Sequence, residues 1–166
     1  MGQKACSPSC AVQKVRTDKK RERKRETKAA KDRLKTRSEW AKEAQTAFNA
    51  WVRERDYGEP CISCGTTNPS TQYCAGHYRT VGACPELRFE PLNVHLQCNR
   101  NCNMAKSGNI TEYRINLVKK IGAEKVEWLE GPHEPKHYTV EDLKEIKKEY
   151  SRKARELKKA REASQG

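Results

Sequence analysis

Cys61-Ile62-Ser63-Cys64 and Cys98-Asn99-Arg100-Asn101-Cys102-Asn103, with 33 residues between them, decide how this chain is read. Two short-spaced thiol pairs separated by a loop of this size predict a tetrahedral zinc site. Each pair supplies two thiolates from one tight turn, and the metal ties the turns together. The intervening stretch carries Gly76-His77 and Asn93-Val94-His95. Zinc at the base would hold those side chains in a small rigid frame, so a short segment can carry chemistry without a large core.

Composition agrees with a stapled rather than a core-rich protein. Of 166 residues, 34% are hydrophobic and 34% charged, which allows one compact domain plus appendages. The net charge of +13, from 35 Lys and Arg against 22 Asp and Glu, points to a polyanionic partner, most simply nucleic acid. Neither end carries an apolar run long enough for a signal peptide or a transmembrane helix. No membrane partner is expected, and the chain is expected in a reducing cytoplasm, where its eight clustered cysteines mean metal rather than disulfides. Cys6-Ser7-Pro8-Ser9-Cys10 is half of a zinc site, to be completed from elsewhere or left as two thiols.

Residues 11–37 hold thirteen Lys and Arg against Asp18, Glu22, Glu26 and Asp32, with no Gly or Pro. Pairs such as Glu22–Arg25 have helical spacing and there is almost no apolar stripe, so a solvated helix is expected. Lys19, Lys20, Arg21, Arg23, Lys24 and Arg25 are its candidate phosphate contacts, against the plainer reading of a solvated arm. Thr36 and Glu39 suit a capping box. Trp40, Ala44, Ala47, Phe48, Trp51 and Val52 then recur at helical intervals until Gly58, an apolar face expected to pack on the zinc module. Residues 72–78 and 93–97 read as short strands, the second with Asn93, His95 and Gln97 on one side. Residues 81–90 read as a loop, and a helix is expected from Asn103 onward, interrupted near Ser107-Gly108-Asn109. Two strands and a helix around a metal make a ββα arrangement. Further helices are expected over 111–121, stopped by Gly122, over 123–129, and from a Thr139/Asp142 cap through 162. The apolar stripe of the last would pair with the Trp40–Val52 helix or with a second subunit. Cys74 and Cys84 fit no four-ligand spacing, and His133 and His137, among prolines, read as surface residues.

The order Cys-x2-Cys, His77, Asn93, Cys-x3-Cys, Asn103 resembles the HNH, or ββα-metal, nuclease superfamily over residues 61–109. Ala75-Gly76-His77-Tyr78-Arg79, Leu87-Arg88-Phe89, Asn93-x-His95-x-Gln97-Cys98, Cys102-Asn103, Ser107-Gly108-Asn109, Tyr113-Arg114 and Ile121-Gly122 resemble, more closely, the NinG (Rap) family of lambdoid phages. The resemblance covers nearly the whole chain and implies a structure-specific recombination endonuclease acting on branched DNA in a phage-infected bacterial cytoplasm. It also implies roles. His77 would be the general base, Asn93 would hold the histidine's loop, and Asn103 would contact a catalytic Mg²⁺ or Mn²⁺. Cys61, Cys64, Cys98 and Cys102 would be structural zinc ligands. Arg79, Arg100 and Lys106 are further candidate phosphate contacts. Many HNH nucleases carry Asp, Glu or His just before the base, where this chain has Gly76. That leaves the second metal ligand open, with His95 the first candidate and Glu86 and Glu90 next.

The expectation is therefore an α+β protein with three parts: a basic arm over 1–37, a helix and zinc-stapled ββα core over 38–130, and a C-terminal basic helix over 131–166. It is a Mg²⁺-dependent endodeoxyribonuclease that nicks Holliday junctions or D-loops as a homodimer, with phage or host recombination proteins as possible further partners. The rival expectation is a zinc-bearing DNA-binding module without catalysis; a nuclease acting on RNA or plain duplex is a third.

Overall fold

A two-stranded antiparallel hairpin is the only sheet among the residues described, 7–165, in this computed structural model; the rest is mostly helical. The Cys6/Cys10 expectation falls partly outside the described residues, since Cys6 is not among them. The chain divides into two compact units, residues 1–39 and 40–166. In the first, α1 (Pro8–Leu34) buries no side chain, as its lack of an apolar stripe requires; Ser7 caps it and Lys31 and Arg33 lie in its last turn. The chain breaks at Lys35-Thr36. Thr36 then caps the next helix: its amide donates to Glu39 Oε2 at 2.7 Å while its hydroxyl accepts from the Glu39 amide at 3.3 Å.

In the second unit, α2 (through Arg55 of Arg37–Arg55) lays Trp40, Ala44, Ala47, Phe48 and Val52 into the core. Strand β1 (Tyr73–His77) pairs with β2 (Val94–Cys98), Gly76 opposite His95 and His77 opposite Val94. Alternation puts Tyr73, Ala75, His77, Val94, Leu96 and Cys98 on one face and Cys74, Gly76, His95 and Gln97 on the other. The first face meets α2 and α5 (Val140–Ser164) in an aromatic cluster of Phe48, Phe89, Tyr138 and Tyr150; Phe48 meets Tyr150 edge-on at 4.7 Å. The stripe on α5 therefore packs on α2, with Lys147–Glu43 (2.6 Å) and Arg161–Glu54 (3.2 Å) flanking the seam. α3 (Ile110–Ile121) and α4 (Ala123–Glu130) pack together through Tyr113, Leu117, Val126 and Leu129, and Tyr113 meets the second face, its ring beside His95 and its hydroxyl donating to the Gly76 carbonyl.

Asn93 is not in the second strand. It ends a short 3₁₀ turn, Pro91–Asn93, so the one-sided row of Asn93, His95 and Gln97 reduces to His95 and Gln97. The helix expected from Asn103 onward is instead a wide, π-helical turn, Asn99–Met104, and regular helix resumes only at Ile110. Cys98 and Cys102 are separated by three residues where two is commoner in a zinc knuckle, and the wide turn absorbs the extra one.

Candidate functional site

The four sulfurs of Cys61, Cys64, Cys98 and Cys102 lie within 4.8 Å of one another, Cys61 to Cys102 at 3.9 Å and Cys64 to Cys98 at 3.6 Å. Zn–S bonds of about 2.3 Å in a tetrahedron place sulfurs about 3.8 Å apart, so the spacing suits zinc. The chemistry of the donors agrees. Burial pushes the thiols of Cys98 and Cys102 up, Cys102 to about 12, and a set of close sulfurs is ionised only beside a cation. Burial also opposes a charge on Cys61, but amide donors, among them the Cys98 N–H at 3.2 Å, outweigh it and draw its pKa down. The cluster joins the turn after α2 to the end of β2.

His77 ends β1, opposite Val94. Its Nε2 donates to the Arg88 carbonyl at 3.0 Å, which leaves the lone pair on Nδ1. Burial lowers its pKa; the Arg88 carbonyl offsets part of that and the Arg88 guanidinium adds to it. The ring is thus held neutral near pH 7, aimed by a loop rather than by an acid.

That loop, residues 78–93, is closed by Asn93. Its Oδ1 accepts from the Arg79 amide at 2.7 Å, and its Nδ2 donates to the carbonyls of Arg79 (2.9 Å) and Leu87 (3.1 Å). Asn93 is fully buried, and every polar atom of its amide is used on backbone. It fixes the strand end beside His77 and the segment that carries the Arg88 carbonyl. The Arg88 side chain meanwhile reaches Gln45 Oε1 on α2 at 2.9 Å.

His95 lies elsewhere. It is 3% exposed, on the hairpin face opposite to His77. Its Nε2 donates to the Leu92 carbonyl at 3.1 Å, and Nδ1 faces Arg55 Nη2 at 3.2 Å and Asp56 Oδ2 at 3.6 Å. Both nitrogens are engaged, so the structure does not bring His95 to His77 as a second ligand; the hairpin register turns it inward. The Arg55–Asp56 pair was not legible in the sequence, where adjacent charges at a helix end read as surface. Asp56 is buried. Burial opposes its charge, but hydrogen bonds from Arg55 (2.6 and 2.8 Å), the neighbouring His95 ring and the Arg55 charge hold it far below the carboxylate range. It accepts the Leu96 amide at 3.0 Å, while Arg55 donates to the carbonyls of Pro91 (2.9 Å) and Val94 (2.6 Å). This cluster ties the end of α2 to both sides of Asn93.

Gly76 sits under Gln97. A Cβ at position 76 would fall 2.2 Å from Gln97 Oε1 and 2.9 Å from its Cβ. Gln97 is itself fully buried; its Nε2 donates to Ser63 Oγ and to the Gly108 carbonyl, both at 2.6 Å. The place an acidic ligand would take is filled. Asn103 is exposed on the turn that bears Cys102, as are Arg100 and Lys106, while Arg79 is half-buried with its Nε 3.4 Å from Cys84 Sγ. Tyr78, next to His77, donates to Glu130 Oε1, and Arg114 grips the same carboxylate at 2.7 and 3.0 Å. The six candidate cations on α1 are all exposed.

The family described as "Bacteriophage Lambda NinG protein" matches residues 2–162. The chain belongs to the NinG family. It is 44% identical to "Protein ninG" of Escherichia phage lambda over 174 aligned residues, which span 94% of this chain and 84% of that protein. The ninG protein of Salmonella phage P22 is likewise 44% identical, over 94% of this chain and 85% of its own length. That of Escherichia phage 933W is 49% identical over 77% of this chain and 63% of its own length. No solved structure matches the chain. No helix among the described residues is long and apolar enough to cross a membrane. The NinG assignment thus rests on nearly the whole chain, the cysteine cluster and the His77 loop included.

Proposed function

We propose that this NinG chain is an HNH-type endonuclease that nicks branched DNA, with His77 as general base. The observation that carries the reading is the His77 tether: Nε2 is committed to the Arg88 carbonyl, so Nδ1 is the basic atom, neutral near pH 7 and held on a loop that Asn93 locks. In the reaction, a water oxygen attacks phosphorus, its proton passes to His77 Nδ1, and the bond from phosphorus to one bridging oxygen breaks. The departing oxygen takes a proton from solvent. Arg79, Arg100 and Lys106 would neutralise the phosphate, and the basic residues of α1 would hold backbone without reading sequence.

The four cysteines would hold zinc as a closed structural site. Magnesium or manganese fits less completely. Asn103 offers one exposed amide oxygen, and among the described residues no group of three His, Cys, Asp or Glu other than the four cysteines lies close enough to share an ion. A Mg²⁺ that takes one protein oxygen and otherwise substrate phosphate and water suits such a site. When bound, it would polarise the phosphate and stabilise the leaving oxygen. Two opposed cuts at a junction would need two copies of the chain, related by a twofold axis.

The filled space over Gly76 and the burial of His95 favour a second reading, a zinc-bearing DNA-binding module of a recombination complex that does not cut. End-labelled four-way junctions, linear duplex and RNA, each incubated with the protein and Mg²⁺, separate the readings. Nicks confined to the junction support the endonuclease. Tight junction binding with no cut strand under any condition supports the module, and equal cutting of duplex or RNA removes the branched-DNA substrate.

A further inference from the structure

The zinc-side loop, residues 99–110, has three features that packing alone does not require. Ser107, Gly108 and Asn109 take φ of 46°, 89° and 48°, three successive left-handed residues of which two carry side chains. Such conformations cost free energy and persist where surrounding contacts impose them. Here those contacts are plain. The Gly108 amide donates to the carbonyls of Cys102 (2.9 Å) and Asn103 (3.1 Å), and its own carbonyl accepts from Ser63 Oγ (3.0 Å) and Gln97 Nε2 (2.6 Å). The Asn109 amide donates to the Lys106 carbonyl at 2.8 Å. The loop is therefore pinned at its root by two cysteines of the metal cluster and at its crest by a buried glycine.

What this rigid loop presents outward is an apolar tip in a cationic setting. Met104 is 69% exposed and Ile110 38%. Arg100 and Lys106, both exposed, stand on either side of Met104 in the sequence. A single exposed methionine is ordinary on a protein surface. One borne on a turn this firmly anchored, with an exposed cation on either side of it in the sequence, suits contact with an anionic partner.

We infer that Met104 is a wedge that covers an unstacked base pair at the branch point, while Arg100 and Lys106 hold the adjoining phosphates. The inference rests on the branched-DNA reading above and supplies its selectivity. A base pair at a branch has lost a stacking neighbour and offers an apolar face to water, so covering it gains apolar burial at no unstacking cost. In linear duplex the same insertion must first separate a stacked step, at a cost of a few kcal/mol per step, which cancels the gain. The wedge adds affinity for branches and none for duplex. This is shape recognition by a side chain and not by base edges.

The test compares wild type, Met104→Ala and Met104→Leu for binding to a four-way junction and to a linear duplex of the same sequence, without divalent-dependent cutting. Met104→Ala is expected to weaken junction binding roughly tenfold and to leave duplex binding unchanged, because only apolar burial is lost. The salt dependence of binding stays that of wild type, since no charge changes, and Met104→Leu stays within roughly twofold. Equal zinc content in the three proteins confirms that the loop is intact. An unchanged junction-to-duplex ratio in Met104→Ala overturns the wedge and leaves the nuclease reading standing. Wild type that binds junction and duplex equally overturns the wedge and the branched substrate together.

Discussion

At position 76 the packing demands the absence of a side chain. Gln97 crosses from the neighbouring strand and puts its amide oxygen where a Cβ would be, and its amide nitrogen bridges Ser63 to Gly108. Gly76→Ala is therefore expected to cost about 1–3 kcal/mol, the usual penalty for overpacking. It should cost less in a Gln97→Ala background, where the collision is gone. Urea unfolding of the two single variants and the double variant checks this; strictly additive penalties would mean that Gln97 is not the obstacle. The sequence shows Gly76 as a missing acid, because the residue that fills the space lies 21 positions away and becomes its neighbour only through the hairpin register. His95 is a similar case. Alternation from Asn93 puts it on the asparagine's side, but the 3₁₀ turn before Val94 takes Asn93 out of the strand, and only the Arg55–Asp56 cluster explains where the imidazole goes.

Between elements, the carboxylate of Glu130 holds α4 to α3 and to the end of β1. Arg114 on α3 lowers its pKa first and Tyr78 next, against an opposing effect of burial, to about 2. The ordinary value is 4.5, so the folded state binds this proton less readily than the unfolded state. The stabilisation is fully present above pH 4.5 and is lost as pH falls through about 2. Glu130→Gln should flatten the acid-induced loss of stability across that window, with little change at pH 7 in its slope against pH. Thermal unfolding followed by circular dichroism from pH 2 to 6 reads this out, and parallel curves for the two proteins would contradict it. The helices themselves were largely legible. Thr36/Glu39 and Thr139/Asp142 form the two capping boxes, and Gly122 stops α3. The π-helical turn over Asn99–Met104 was not, because its shape comes from the demand that Cys98 and Cys102 converge with one residue too many, which local propensity does not record.

For the molecule as a whole, the cysteine cluster stands in for a large core. It joins the segment after α2 to the end of β2 and so sets the frame that carries both His77 and the Met104 loop. One zinc per chain is expected by elemental analysis, and removal by a chelator should unfold the second unit cooperatively, because zinc held by these thiolates would contribute folding free energy. Cys98→Ser with Cys102→Ser should behave like the stripped protein, and near-UV circular dichroism unchanged by zinc removal would contradict this. The cluster was legible because ligand spacing is written along the chain, whereas the His77 partner was not, since any residue at position 88 would offer a carbonyl. In the proposed endonuclease reaction, removal of the water's proton falls to the imidazole so aimed. The direct measurement is the single-turnover rate of four-way-junction nicking, in Mg²⁺, by wild type and His77→Ala across pH. The prediction is a wild-type rate that rises with pH through a pKa below the ordinary 6.5 of histidine, and a loss of roughly 10²–10⁴-fold in His77→Ala with junction affinity intact. Nicking that persists at the wild-type rate in His77→Ala would contradict it.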